Sequence, residues 1–206
     1  MRRITVECDP GEIVELAGVK FVVLDVERSY AYYPDTLFIL ALHSVGQSCF
    51  GESNDYEMSE LRDAIGEWLK VMEARGFDST HVVSRKIDLT TLDGHKGYGE
   101  IWTNAAPLTL DEARKYADII PNADESYWLS TGFSGPNKAD GNMVLCVDKN
   151  GDWGHRGCSC QCGIRPALRI AANVFDTVPE RKFLESIPTH KLLKEIHRRV
   201  ESGEKE

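Results

Sequence analysis

The chain opens with short alternations of apolar and polar residues. Arg3 to Cys8, Glu12 to Leu16 and Val19 to Val26 alternate or run apolar with β-branched residues, punctuated by Gly11 and Gly18, which predicts three short antiparallel strands. Leu37 to Leu42 has no polar position, so it is expected in the middle of a sheet covered on both faces, and it lacks the proline that such a strand excludes. The period then changes. Leu61, Ile65, Trp68, Leu69 and Met72 recur at helical spacing behind Ser59, a good N-cap, and Gly76 stands where a C′ glycine ends a helix. Thr109 and Glu112 form a capping box for a second helix, with Leu108 able to staple onto Ala113, and that helix is expected to run to about Ile119, before Pro121.

From Tyr127 onward the alternation returns. Strands are predicted at Tyr127 to Thr131, Met143 to Val147, Cys158 to Ile164 and Ala167 to Ala171, with a hairpin turn at Asp148-Lys-Asn-Gly151. After Pro179 the chain becomes charged and helical, with Leu192, Leu193, Ile196 and Val200 in one apolar stripe. Two units are expected: a domain over 1–178 and a helical tail over 179–206, packed on the domain, on a partner or on a second copy of the chain.

Composition narrows the class. A chain of 206 residues with 42% hydrophobic content can bury a core of domain size. The formal net charge is −9 and Lys and Arg are scattered, so no basic stripe is available to neutralise phosphates; neither nucleic acid nor an anionic membrane surface is expected as partner. The run Leu37 to Leu42 is far short of the roughly 20 residues of a spanning helix. Acidic residues interrupt the N-terminus before a signal-peptide core can form, so the expected location is the cytoplasm of the producing cell. Cys8, Cys49, Cys146, Cys158, Cys160 and Cys162 are too few for a disulfide scaffold and are expected as reduced thiols.

Three of those cysteines form the sharpest chemical pattern. Cys158, Cys160 and Cys162 alternate, so on a strand their thiols would share one face near His155, and thiolate plus imidazole can hold Zn²⁺ or Cu(I). Yet C-x-C-x-C is not zinc-knuckle spacing, and strand alternation with buried thiols accounts for the same pattern, so no metal is assigned. No histidine accompanies a nucleophile in a recognisable elbow, and Gly132, Gly135 and Gly141 lack the Lys-Ser/Thr of a phosphate loop. Arg62 and Arg165 read as structural, each able to tie backbone carbonyls or a carboxylate.

Five ordered segments carry a resemblance. Tyr56 to Arg62, Asp88 to Gly94 followed by Tyr98-Gly99, Leu108 to Tyr116, Tyr127-Trp-Leu-Ser130 and Gly163-Ile-Arg-Pro-Ala-Leu168 follow the order of the DUF6273 family, and Gly11 to Leu24 fits the same group. The chain resembles that family over about residues 11 to 176. The family is associated with phages and prophages of Firmicutes, and its fold is similar to the C-type lectin-like, sulfatase-modifying-factor class. The resemblance implies an α+β domain in which short antiparallel sheets and two helices support a loop-rich binding face; no cofactor and no catalytic residue is assigned.

On that scaffold the variable surface would be Ser130 to Asn142 and Gly151 to Cys158, since a rigid sheet lets such loops diverge. Asn137, Asp140, Asn142, Asp152, Trp153, His155 and Arg156 are the candidate ligand-binding residues, a mixture suited to recognition. Trp128 is expected in the core, and Trp153 is balanced between packing and exposure. Calcium is not expected: Gly135-Pro-Asn137 lacks an acid before its proline, and Asp148, Asn150 and Asp152 imitate an EF-hand loop that Trp153 and Ser159 then break.

Three functions follow. The first is a non-enzymatic module binding a protein or glycan, of phage or prophage origin, with a virion or its tail as an expected location. The second is a metal-dependent oxidoreductase of the formylglycine-generating type, using Cys158, Cys160 and Cys162, although their spacing departs from that family's cysteine pair. The third is a purely structural virion protein.

Overall fold

The computed structural model describes residues 8–28 and 35–177. The predicted strand from Arg3 and the tail over 179–206 therefore fall outside the described residues, apart from Cys8, which is buried and lies in no strand.

Strands β1 (Ile13–Leu16) and β2 (Val19–Glu27) form a tight hairpin. Its two-residue turn, Ala17-Gly18, has φ of 48° and 79°, the left-handed pair that matches strand twist in such hairpins. Next come β3 (Thr36–Ala41) and β4 (Gln47–Ser48), then the helix α1 (Glu60–Ala74). Short strands β5 (Val82–Val83), β6 (Arg85–Asp88), β7 (Glu100–Thr103) and β8 (Ala105–Ala106) lead to α2 (Leu110–Lys115). The chain continues through β9 (Tyr127–Gly132), β10 (Met143–Val147), β11 (Trp153–Gly157), β12 (Cys162–Gly163) and β13 (Ala167–Ala171).

These strands make three sheets. One is ordered β1-β2-β3-β13-β5 with β8 also on β13, the second β11-β10-β9-β12-β4, and the third pairs β6 with β7. The fold is mixed α and β, dominated by sheet. As its apolar run predicts, β3 is central: Leu37, Ile39 and Ala41 join one core cluster while Phe38 and Leu40 join another. The second sheet divides the same way, with Trp128, Val144 and Cys146 on the first core and Tyr127, Leu129, Leu145 and Val147 on the second. Period-2 alternation thus places each sheet between two apolar layers.

The helices differ in how closely they follow the sequence. In α1 the Ser59 hydroxyl accepts from Arg62 N, and Gly76, at φ 95°, sits at C′. Gly76 N donates to Glu73 O and Phe77 N to Met72 O, which satisfies two terminal carbonyls in a Schellman motif sealed by buried Met72 and Phe77. For α2 the capping box of Thr109 and Glu112 is present, but the helix ends at Lys115 rather than near Ile119. Tyr116 stops it. Its ring packs 5.7 Å from Phe38, its hydroxyl donates to Asp25 at 2.7 Å, and its own carbonyl accepts from Ile119 and Ile120 in a turn. Hydrogen bonds from Tyr116 and Lys115 outweigh burial and hold the Asp25 carboxyl below its ordinary range.

A second correction concerns Cys158 to Ile164. That segment is not one strand: the partner of β10 is β11, residues 158–161 turn, and only Cys162–Gly163 extend. Cys158 N donates to Asn142 O and Cys160 N to Gly157 O, so the alternation of cysteines falls on a turn. The supposed loop Gly151 to Cys158 is mostly an edge strand.

Candidate functional site

The β10–β11 hairpin organises the candidate site. Asp148 begins its turn: its N donates to Asp152 O, its carbonyl accepts from Gly151 N, and its Oδ1 accepts from Asn150 N at 2.8 Å and Asp152 N at 3.0 Å. The carboxylate that imitates a calcium loop is therefore committed through one oxygen to backbone amides, and Gly151 supplies the positive φ of 88°. Register then places Trp153 opposite Val147, His155 opposite Leu145 and Arg156 opposite Val144.

All seven candidate residues are exposed, but the fold does not bring them together. Asp152 and Trp153 lie at the turn. Asn137, Asp140 and Asn142 lie at the other end of the hairpin, five strand residues or about 17 Å away. His155 shares the Trp153 face and stacks 4.5 Å from Phe133. Arg156 faces the other way, where Nη2 donates to Ser126 Oγ at 3.2 Å and the guanidinium lies by the Cys146 thiol.

The loop holding Asn137 and Asp140 is tied at its base. Asp93 Oδ2 accepts from Gly135 N and pairs with Lys138 at 3.0 Å, while buried Asn54 donates to Ser134 O and Met143 O. Hydrogen bonds from Thr91 and Lys138 lead the causes that hold the Asp93 carboxyl well below the usual carboxylate range.

The cysteines separate by exposure. Cys158 and Cys162 are buried and Cys160 is exposed. Burial pushes the Cys158 thiol up to about 11 and the Cys162 thiol up to about 12, so both stay protonated at neutral pH. Among the described residues no three His, Cys, Asp or Glu side chains gather in a metal-holding arrangement. The hydrogen-bonded histidine rings reach acids and an amide: His43 pairs with Asp124, and His81 with Asn173 and Asp78.

Trp153 is 44% exposed and walls a cleft of about 210 Å³ between the hairpin turn and the chain leaving α2. Tyr127, Val147 and Trp153 form one row across β9, β10 and β11, and they floor the cleft. Ala117, Ile120 and Pro121 face them, and Asn122, Asp148 and Asn150 bring polar atoms. Sequence reasoning missed Asn122 and Asn150 as site residues, because the exit of α2 brings them together rather than any local pattern. It also missed Trp102, 67% exposed on β7, although the alternation Glu100-Ile-Trp-Thr103 with buried Ile101 puts that ring outward.

Behind the cleft, Arg165 is 1% exposed, with Nε donating to Ala41 O at 2.8 Å and the guanidinium 4.9 Å from the Tyr127 ring centroid. Neither Nη atom has a hydrogen-bond partner among the described residues. The expected structural role holds, but through one carbonyl and an aromatic face instead of several carbonyls. Among the described residues no helix is long and apolar enough to cross a membrane. No family model, no curated protein and no solved structure matches this chain.

Proposed function

We propose that the chain is a non-enzymatic recognition module of phage or prophage origin, built on a C-type lectin-like scaffold and carried on the virion or its tail. The observation supporting this reading most directly is Trp153, a large aromatic held half-exposed on an edge strand beside a cleft. An exposed aromatic on a rigid strand supplies contact area without ordering a loop, which lowers the entropic cost of binding. The resemblance of five ordered segments to the DUF6273 family supports the scaffold and the phage origin.

The oxidoreductase reading finds less support. Among the described residues no three His, Cys, Asp or Glu side chains gather in a metal-holding arrangement, and Cys158 and Cys162 are buried while Cys160 is exposed. Two assays test the recognition module: detection of the protein in purified particles, and retention of the purified full chain on cell-envelope polysaccharide of the producing organism. Presence in particles with retention on polysaccharide is expected. Absence from particles together with failure to be retained overturns the reading, and presence without retention favours a purely structural virion protein.

A further inference from the structure

We infer that the cleft beside Trp153 is a binding site for a single neutral pyranose ring, free or at the end of a glycan; the inference rests on the recognition-module reading and names its ligand class. Size is the first argument. At about 210 Å³ the cleft is smaller than the roughly 300–1,000 Å³ of drug-sized ligand sites, so it suits one ring rather than an extended chain.

The lining matches an amphipathic ring. Trp153 offers an exposed apolar wall, backed by buried Val147, which the adjacent strand places in direct register on the same face. The C–H face of a pyranose packs on such a wall as any apolar surface does. Hydroxyls on the ring edge both donate and accept, and so do amides. Asn122 and Asn150 present two of them, and neither side chain is hydrogen-bonded within the described residues. Asp148 has Oδ1 occupied by the turn amides, which leaves Oδ2 as an acceptor at a fixed position.

Charge excludes anionic ligands, and shape argues against the other classes. Among the described residues no Lys, Arg or His lines the cleft, and the whole chain carries −9, so a phosphate or carboxylate ligand would lack a counter-charge. An ammonium ligand would meet the Asp148 carboxylate but one exposed aromatic instead of a cage, since Tyr127 is only 4% exposed. A proline-rich peptide needs a longer aromatic groove than one tryptophan supplies.

The cleft is also preformed. Tyr127 is fixed from behind by the Arg165 guanidinium, and Asn122 lies against the turn, where a Cβ on Gly151 would come within 3.0 Å of its Oδ1. Pre-organisation of this kind removes an ordering cost from binding.

The test is titration of the full chain with neutral hexoses and N-acetylhexosamines, followed by ligand-observed NMR, with a glycan array to separate free sugars from glycan termini. A proline-rich peptide serves as competitor. Trp153→Ala is expected to weaken sugar binding at least about tenfold and Asn122→Ala about threefold or more, while Trp102→Ala leaves it unchanged. Both cleft side chains are exposed, and circular dichroism with a thermal melt verifies that each variant folds. No saturable binding by any sugar, or binding indifferent to Trp153→Ala, overturns the inference. Polysaccharide retention that survives in Trp153→Ala places recognition elsewhere and sinks the cleft while leaving the recognition module standing; peptide binding lost in Trp153→Ala does the same. Absence of sugar binding, of polysaccharide retention and of the protein from particles removes both.

Discussion

Tyr98 donates its phenolic hydrogen to Asn54 Oδ1 at 2.5 Å, and the amide of the same Asn54 donates to Ser134 O at 2.7 Å and Met143 O at 3.2 Å. One buried side chain therefore fastens both ends of the 133–142 loop to the segment that carries Tyr98. Close packing leaves no slack: a Cβ on Gly132 would stand 2.9 Å from Asn54 Nδ2. Replacing Asn54 by Ala orphans the Ser134 carbonyl and takes the acceptor from the Tyr98 hydroxyl, while Met143 O keeps its bond from Phe133 N. A loss of about 1–3 kcal/mol is expected in urea unfolding. Faster amide exchange across 133–142 should accompany it, and a loss under about 0.5 kcal/mol would contradict the fastening role.

The hairpin turn of β1 and β2 has a residue it does not favour. Ala17 holds φ of 48° with a Cβ in the left-handed region, where Asn is far better tolerated. Ala17→Asn should raise stability by about 0.5–1 kcal/mol, and Ala17→Val should lower it by more than about 1 kcal/mol. Thermal melts of the two variants check the pair, and equal melting temperatures would remove the claim.

Alkaline pH should destabilise the fold through its buried thiols. Cys158 and Cys162 titrate at about 11 and about 12 in the folded chain against 9.0 for an ordinary thiol, so the folded state holds its protons more tightly than the unfolded one. Their contribution is fully present below pH 9.0 and is lost as pH rises from there through about 11 and about 12. Each thiol adds a slope of up to about 1.4 kcal/mol per pH unit in that window. Cys162→Ala should flatten the slope between pH 9.0 and about 12 even though it lowers stability at pH 7. Parallel curves for variant and parent would show that this thiol does not titrate as described.

Arg165 is a buried cation with one carbonyl and one ring for company, and desolvation lowers its pKa. Removing the charge while keeping the shape should cost little: Arg165→Met is expected within about 1.5 kcal/mol of the parent. Arg165→Ala leaves a void and should cost about 3–5 kcal/mol. Lysine has the charge without the planar stack on Tyr127, so Arg165→Lys should fall below Met. Chemical denaturation orders the three, and a Lys variant as stable as the parent would rule out the stacking account.

Local signals made the helices and the major strands readable. Ser59 and Gly76 bracket α1 because the cap chemistry of each end is contained within a few residues. The unbroken apolar run of β3 announced burial on both faces, and Asp148 to Gly151 announced its turn. Trp153-Gly-His-Arg-Gly157 did not announce a strand. It has no β-branched residue and two glycines, and it is extended only because β10 offers a complete ladder of partners. Cys158 to Cys162 shows the converse, a strand-like alternation that hydrogen bonds to Asn142 and Gly157 bend into a turn. Tertiary contact also ended α2 early, since Tyr116 gains more from Asp25 and Phe38 than from another helical turn.

The candidate site was legible only in part. Trp153 stood out by type, but its companions Asn122 and Asn150 are ordinary turn residues until the exit of α2 crosses the hairpin. Residues close in sequence can also diverge: His155 and Arg156 are neighbours, and the pleat sends them to opposite faces of β11.

The position of β13 has a bearing on biosynthesis. It lies between β3 and β5, with Ile39 facing Leu168, so the first sheet remains split until a partner well over a hundred residues downstream has emerged from the ribosome. Until then the nascent chain exposes an apolar strand edge, the state that chaperones recognise and that aggregates when they are scarce. Translation arrested before residue 167 would leave a polypeptide with both cores open, since β13 supplies Leu168 and Ile170 to one and Ala167 to the other.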